Sequence, residues 1–252
     1  MNAAVDEIWA STRAGEGPPA SWVGKLSTVE AYEVQLAVLD RQLESGLAQG
    51  GWKVGLTSAA IRQELGVTEP VFGYLLAANE WADGVVLELD ELLSPAFENE
   101  LCLTIGQSLT GPDVSAEDAL TAISLVAPAF EIVERRANAK ADLNLTIADN
   151  AQQRAYVVGT PIRLPEGLDL SAVQLEVRTG GEVRASATGT EVLGHPAASV
   201  AWLANALSQF GRSLEPGMRV MSGSFTPQYT LERGDVIEAA FDPIGTVRAS
   251  CR

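Results

Sequence analysis

The chain has 252 residues, 46% of them hydrophobic and 20% charged, which is enough to bury a sizeable core and too apolar for a disordered chain. Its formal net charge of -16 repels nucleic-acid phosphates and anionic lipid headgroups, so neither is expected as a partner, and an anionic substrate would need a local positive centre. Two cysteines, Cys102 and Cys251, make neither a disulfide framework nor a metal-ligand pattern, and no leader-like or membrane-spanning apolar run occurs, so a cytoplasmic, reducing location is expected.

In chain order, Gly15-Glu16-Gly17-Pro18-Pro19 reads as a turn or linker. Ser27 and Glu30 form a capping-box pattern, and Tyr32, Leu36, Leu39 and Leu43 recur behind it at helical spacing until Gly46 and Gly50-Gly51. Residues 1–50 therefore read as a helical N-terminal segment. Beyond it the pattern is β-rich. Trp52 to Leu56 is a short apolar run, and Phe97 to Ile105 reads as a strand. Ser115 is placed to cap a helix running through Ala119, Ile123 and Val126 to Pro128. Residues 173–186 alternate around Gly180-Gly181, a hairpin signal. Gly194-His195-Pro196 opens a helix with Val200, Leu203, Leu207 and Phe210 on one face and Gly211 at its end. Short strands follow near 218–222, 235–241 and 245–250. Many short strands with Gly/Pro turns predict an α+β fold: a rolled or barrel-like sheet with two or three helices outside it.

The sharpest chemical feature is Glu98-Asn99-Glu100 inside an apolar stretch. Strand side chains alternate faces, so Glu98 and Glu100 point the same way, about 7 Å apart at Cα. Two carboxylates on one face repel unless a cation lies between them, and hard oxygen ligands suit Mg²⁺ or Mn²⁺. The plain alternative is a solvated strand face. Glu131 stands among apolar neighbours, where an unpartnered carboxylate is costly. It can close a three-carboxylate site, face water, or pair with Arg135 or Arg136. Lysine occurs only at 25, 53 and 140. Lys53, between Trp52 and Val54, suits a proton shuttle because a buried lysine can lose its proton and an arginine cannot; a surface lysine is the alternative.

Asp149-Asn150 orients a ligand or makes an Asx turn. Backbone amides and hydroxyls of Ser222-Gly223-Ser224 suit a carboxylate. His195, the only histidine, reads as structural in its Gly-His-Pro context. There is no Gly-x-Ser-x-Gly elbow, Walker loop or Gly-x-Gly-x-x-Gly, which sets aside α/β-hydrolases, P-loop NTPases and ordinary nicotinamide-dependent dehydrogenases.

Taken together, Gly51-Trp52-Lys53-Val54-Gly55-Leu56-Thr57-Ser58, Leu65-Gly66-Val67, Val71-Phe72-Gly73-Tyr74, Phe97-Glu98-Asn99-Glu100-Leu101, Pro128-Ala129-Phe130-Glu131-Ile132-Val133, Ala148-Asp149-Asn150-Ala151, Leu193-Gly194-His195-Pro196 and Met221-Ser222-Gly223-Ser224 resemble, in order, the blocks of the 2-oxopent-4-enoate (2-keto-4-pentenoate) hydratase and 4-oxalocrotonate decarboxylase family of the fumarylacetoacetate hydrolase superfamily. The resemblance implies a fumarylacetoacetate hydrolase-like mixed β-roll with flanking helices, a catalytic domain over 51–252, and Mg²⁺ or Mn²⁺ held by Glu98, Glu100 and Glu131. It implies Lys53 as catalytic acid/base assisted by Asp83, Ser222 and Ser224 as substrate-carboxylate contacts, and a homo-oligomer. The implied reaction is hydration of a 2-hydroxy-2,4-dienoate to a 4-hydroxy-2-oxo acid, as in meta-cleavage catabolism of aromatics. The alternatives are a 4-oxalocrotonate-type decarboxylase and a non-catalytic partner in a hydratase–decarboxylase complex. The chain departs from the family at Gln152-Gln153-Arg154, where small residues are usual. Arg154 is either a bidentate partner for a second substrate carboxylate or a surface or interface residue.

Overall fold

The computed structural model describes all residues, 1–252. Six helices are α1 (Asn2–Ala14), α2 (Thr28–Glu44), α3 (Ala59–Leu65), α4 (Ala116–Ala122), α5 (Leu143–Ala148) and α6 (Pro196–Ser208). The first strands are β1 (Gln49–Gly55), β2 (Val71–Leu76), β3 (Glu80–Ala82), β4 (Val85–Leu87), β5 (Pro95–Ile105), β6 (Ile123–Glu134) and β7 (Gln153–Val158). The rest are β8 (Ile162–Arg163), β9 (Gln174–Thr179), β10 (Glu182–Thr188), β11 (Arg219–Met221), β12 (Tyr229–Thr230), β13 (Val236–Asp242) and β14 (Gly245–Cys251). No helix is long and apolar enough to cross a membrane.

Nine strands form one curled, half-barrel sheet in the order β2-β1-β11-β5-β6-β7-β3, with β12 added to β5 and β8 to β6. A second sheet runs β10-β9-β13-β14-β4. The α+β expectation of a rolled sheet with flanking helices holds. The Ser27 capping box forms, with Glu30 accepting the Ser27 amide proton at 2.8 Å, and so does the Gly180-Gly181 hairpin.

Two expected helix limits move. The helix capped by Ser115 stops at Ala122, and Ile123 to Pro128 begin β6 instead. The β-branched Ile123 and Val126 suit a strand, and β6 pairs with β5 from Ile105↔Ile123 to Pro95↔Glu134, so tertiary pairing outweighs the helical spacing. The helix α6 ends at Ser208, leaving Phe210 in the following turn, where it still packs 5.5 Å from Tyr32.

The alternation along β5 and β6 decides what each face of the half-barrel holds. Phe97, Leu101, Phe130 and Ile132 point outward into a 56-residue core shared with α1, α2 and α6. Each such side chain contributes about 1.5–3 kcal/mol on burial. The other parity points into the curl. There, Cys102, Ala127 and Ala129 pack with Leu75, Tyr156, Val158 and Met221 in a small separate cluster. Glu98, Glu100 and Glu131 continue these inward rows toward the open end.

Candidate active site

Glu98 and Glu131 are direct cross-strand partners, and Glu100 lies two residues along the same face of β5. One oxygen from each of the three carboxylates falls within 4.8 Å of the others. Glu100 and Glu131 are fully buried, and Glu98 stands at the rim. Gly223 N donates to Glu100 Oε2 at 2.8 Å, and Gln228 Nε2 donates to Glu98 Oε1 at 2.7 Å. Glu100 Oε1 and both oxygens of Glu131 have no hydrogen-bond partner. Buried carboxylate oxygens left open cost several kcal/mol. A divalent cation would satisfy all three, and a set of hard, anionic oxygens matches such an ion. The residues present therefore fit a divalent metal.

Lys53 comes from β1, which is separated from β5 by β11, and is 3% exposed. Its Nζ lies 3.3 Å from Glu131 Oε1, a charge contact without hydrogen-bond alignment. Glu131 thus faces Lys53; neither Arg135 nor Arg136 is its partner. Burial pulls the Lys53 ammonium down, but the charges of Glu131, Glu98 and Glu100 outweigh it and hold its pKa above the ordinary value. Burial, followed by the charges of Glu131 and Glu98, pushes the Glu100 carboxyl well above the usual range. Burial also raises Glu131, to about 7, against the lowering effect of Lys53.

The centre opens into a cavity of about 740 Å³ lined by Leu56, Thr57, Ile61, Leu65, Glu98, Arg135, Gln152, Ser224 and Gln228, among others. Apolar side chains come from α3 and the loop before it, and polar uncharged ones from the segments after α5 and β11. Gln152 and Gln228 carried no clear sequence signal beyond the departure already noted at Gln152.

The remaining candidate residues separate. Ser222 and Ser224 flank Gly223, and their hydroxyls accept the backbone amides of Leu101 and Asn99, at 3.3 and 3.1 Å. They splice this segment onto β5 and so aim the Gly223 amide at Glu100; only Ser224 reaches the cavity. Asp83 is not beside Lys53. It lies in the exposed turn after β3, where Oδ1 accepts the Arg248 amide at 2.7 Å, outside both cluster and cavity. Its position follows from β3 pairing with β7 at the far edge of the sheet.

Arg154 faces a different cavity, of about 320 Å³, on the outer side of the sheet. There its Nε is 3.6 Å from Glu134 Oε1, and its guanidinium lies over Trp81. His195 caps α6, its Nδ1 accepting the Ala197 amide at 3.0 Å, as its structural reading implied. Asp149 pairs with Arg136, and Asn150 clamps the backbone of Tyr74, so this segment is neither a ligand contact nor a simple Asx turn.

The fumarylacetoacetate (FAA) hydrolase C-terminal family matches residues 54–252. The chain is 36% identical over 225 residues to a protein of Comamonas testosteroni named 2-hydroxyhexa-2,4-dienoate hydratase, covering 88% of this chain and 85% of that one. It is 35% identical over 223 residues to the 2-keto-4-pentenoate hydratase of Paraburkholderia xenovorans (strain LB400), covering 87% and 82%. Among solved structures, 4-oxalocrotonate decarboxylase from Pseudomonas putida G7, complexed with magnesium and adipate, superposes with a TM-score of 0.93 at 30% identity, covering 99% of this chain and 96% of that one.

Proposed function

Because this chain belongs to the fumarylacetoacetate hydrolase C-terminal family, we propose that it is a divalent-metal-dependent hydro-lyase, adding water to a 2-hydroxy-2,4-dienoate to give a 4-hydroxy-2-oxo acid in the catabolism of aromatics. The observation that carries this reading is the meeting of three inward carboxylates, with open oxygens, and one buried lysine at the end of a cavity. Relatives named as hydratases of such dienoates, similar over most of both lengths, support it. A cytoplasmic homo-oligomer with residues 51–252 as its catalytic unit and 1–50 as a helical attachment completes the proposal.

Glu98, Glu100 and Glu131 would hold the ion, with Mg²⁺ or Mn²⁺ the natural choices for an all-carboxylate set. When bound, it supplies a Lewis acid able to chelate a 2-oxo acid and stabilise negative charge at the C2 oxygen. Lys53, kept as an ammonium by the surrounding carboxylates, is the proton donor to the far end of the dienoate. Once it has given that proton, the buried amine is neutral and accepts one back from the added water. Leu56, Ile61 and Leu65 cover the apolar carbon chain, while Thr57, Gln152 and Gln228 are placed to orient water. Ser224 is the hydroxyl in reach of the substrate carboxylate.

Purified protein with Mg²⁺ is expected to consume 2-hydroxypenta-2,4-dienoate, seen as absorbance decay, and to stop with EDTA or with Glu131→Gln. Persistence of the dienoate at full metal occupancy would overturn the hydratase reading. A decarboxylase reading is favoured by one observation, the 0.93 superposition on a decarboxylase that holds a dicarboxylate. The chain also has a single buried cation at the centre, and loss of CO₂ needs one proton donor but no activated water. Release of CO₂ from 2-oxohex-3-enedioate, without hydration of the pentadienoate, would establish that alternative.

A further inference from the structure

Asn150, Ala151 and Gln152 are three successive non-glycine residues with positive φ, at 57°, 49° and 66°. L-residues resist this region, and a run of three persists only where the surroundings hold it. Arg136 brackets the run. Its Nε donates to Asp149 Oδ2 at 2.8 Å, and its Nη2 donates to Asp149 O at 3.1 Å and Gln153 O at 3.3 Å. Gln152 Nε2 donates to Ala137 O at 3.1 Å.

The turn delivers the Asn150 carboxamide to β2. Its Oδ1 accepts the Tyr74 amide at 2.8 Å, and its Nδ2 donates to Tyr74 O at 3.0 Å. The residue before Tyr74 is Gly73, the register partner of Lys53 on β1. A Cβ on Gly73 would lie 2.8 Å from Asn150 Oδ1 and 3.3 Å from Lys53 Cγ. The Lys53 stem therefore rests on bare glycine backbone, with Asn150 bearing on the same residue. Gly55 gives the same clearance at the tip, where a Cβ would lie 3.1 Å from Nζ.

We propose that Asn150 is a positioning residue for Lys53: its carboxamide fixes the Gly73–Tyr74 backbone on which the lysine stem lies, and so sets where Nζ stands against Glu131. This inference rests on the acid–base reading of Lys53 given above. It also gives the strained turn a purpose, since the left-handed conformation is what brings a side chain from the end of α5 onto the edge of β2.

The test uses four variants of the full chain: Asn150→Gly, Asn150→Asp, Lys53→Met and the Asn150→Gly/Lys53→Met double variant. Glycine keeps the left-handed backbone while removing the carboxamide. Asn150→Gly is expected to lower kcat about 10- to 100-fold, as misplacement of a reacting group does. KM and the affinity for Mn²⁺ alone, measured by calorimetry, are expected to stay within about twofold, since neither a metal ligand nor a residue lining the 740 Å³ cavity is removed. Asn150→Asp, which keeps the acceptor for the Tyr74 amide, should recover part of the loss. In the Lys53→Met background, Asn150→Gly should cost nothing further, because the group it positions is gone. An unchanged kcat beside an inactive Lys53→Met overturns this proposal alone. An equal fold-loss in both backgrounds, or a parallel loss of Mn²⁺ affinity, also overturns it by showing a merely structural role. Full activity in Lys53→Met overturns the acid–base reading itself.

Discussion

Glu131 and Glu134 stand three residues apart on β6, both almost fully buried, yet they belong to opposite kinds of charge cluster. Glu134 points outward and joins Asp149 around the Arg136 guanidinium, with contacts of 2.7 and 2.8 Å. The planar fork of arginine fills those oxygens and reaches two backbone carbonyls as well. Glu131 points inward to Glu98, Glu100 and the single ammonium of Lys53, and its oxygens stay open. Three carboxylates against one ammonium leave an excess of negative charge, which protons or an added cation can offset. The outer cluster is closed and structural. The inner one is incomplete, and that incompleteness marks it as a binding centre better than its burial does.

The largest separation is expected from removing one partner in each cluster. Arg136→Met should cost about 3–5 kcal/mol in denaturant unfolding, because two buried carboxylates lose their partner, while Mg²⁺ binding by the folded protein persists. Glu131→Gln should do the reverse. It should reduce kcat/KM and metal affinity by more than about 100-fold, the upper range for losing only a ligand's supporting contact. The metal-free variant should be no less stable than the parent, since a buried like charge has gone. If Glu131→Gln destabilised the metal-free protein as much as Arg136→Met, the contrast would collapse.

Next in size is Lys53→Met. Loss of a general acid/base is expected to lower kcat about 10²- to 10⁴-fold, with stoichiometric metal retained. Loss of the metal along with activity would show that Lys53 serves only as a counter-ion.

Acidity gives a finer test. Burial raises the carboxyl of Glu131 to about 7 and also pushes that of Glu100 well above the usual range, so the folded metal-free protein holds protons that the unfolded chain releases. Their contribution is present below the ordinary carboxyl range and is lost as pH rises through about 7. The melting temperature of EDTA-treated protein should therefore fall as pH rises from about 4.5 to about 7, the window from the unfolded to the folded Glu131 pKa, and the rise on adding Mg²⁺ should grow over the same window. A flat metal increment across it would count against the cluster as the metal site. The closed cluster moves the same way but within a lower range, since burial raises Asp149 only to about 6 against Arg136.

The smallest effect is expected at Asp83→Asn, where an exposed turn residue keeps an acceptor for the Arg248 amide; activity should stay within about twofold. A larger loss would return Asp83 to the catalytic group.

Much of the inner cluster was legible from the chain alone. Two acids at i and i+2 in an apolar strand must share a face, and a lone acid in Pro128–Val133 needs a partner. The closed cluster was not legible, because Arg136 has candidate acids on every side and only the pairing of β6 with β7 selects Glu134 and Asp149. Asp83 misled for the opposite reason: a short acidic turn carries no information about which edge of the sheet its strand joins. The start of β6 was hidden because helical spacing at Ala119, Ile123 and Val126 is satisfied equally well by a helix that ends and a strand that begins.

The narrow strand β11 lies between β1 and β5, and through Gly223 it reaches a carboxylate 123 residues earlier in the chain. Lys53 and the paired acids of β5 thus belong to strands that are never neighbours and are joined in one sheet only through residues 219–221. During synthesis, the sheet that joins Lys53 to the acids, and the Gly223 amide that Glu100 accepts, wait for the last part of the polypeptide to emerge. Such distant closure slows folding, and it ties cation capture to the completion of the chain. A polypeptide interrupted before residue 219 would carry every ligand and still be unable to bring Lys53 to them.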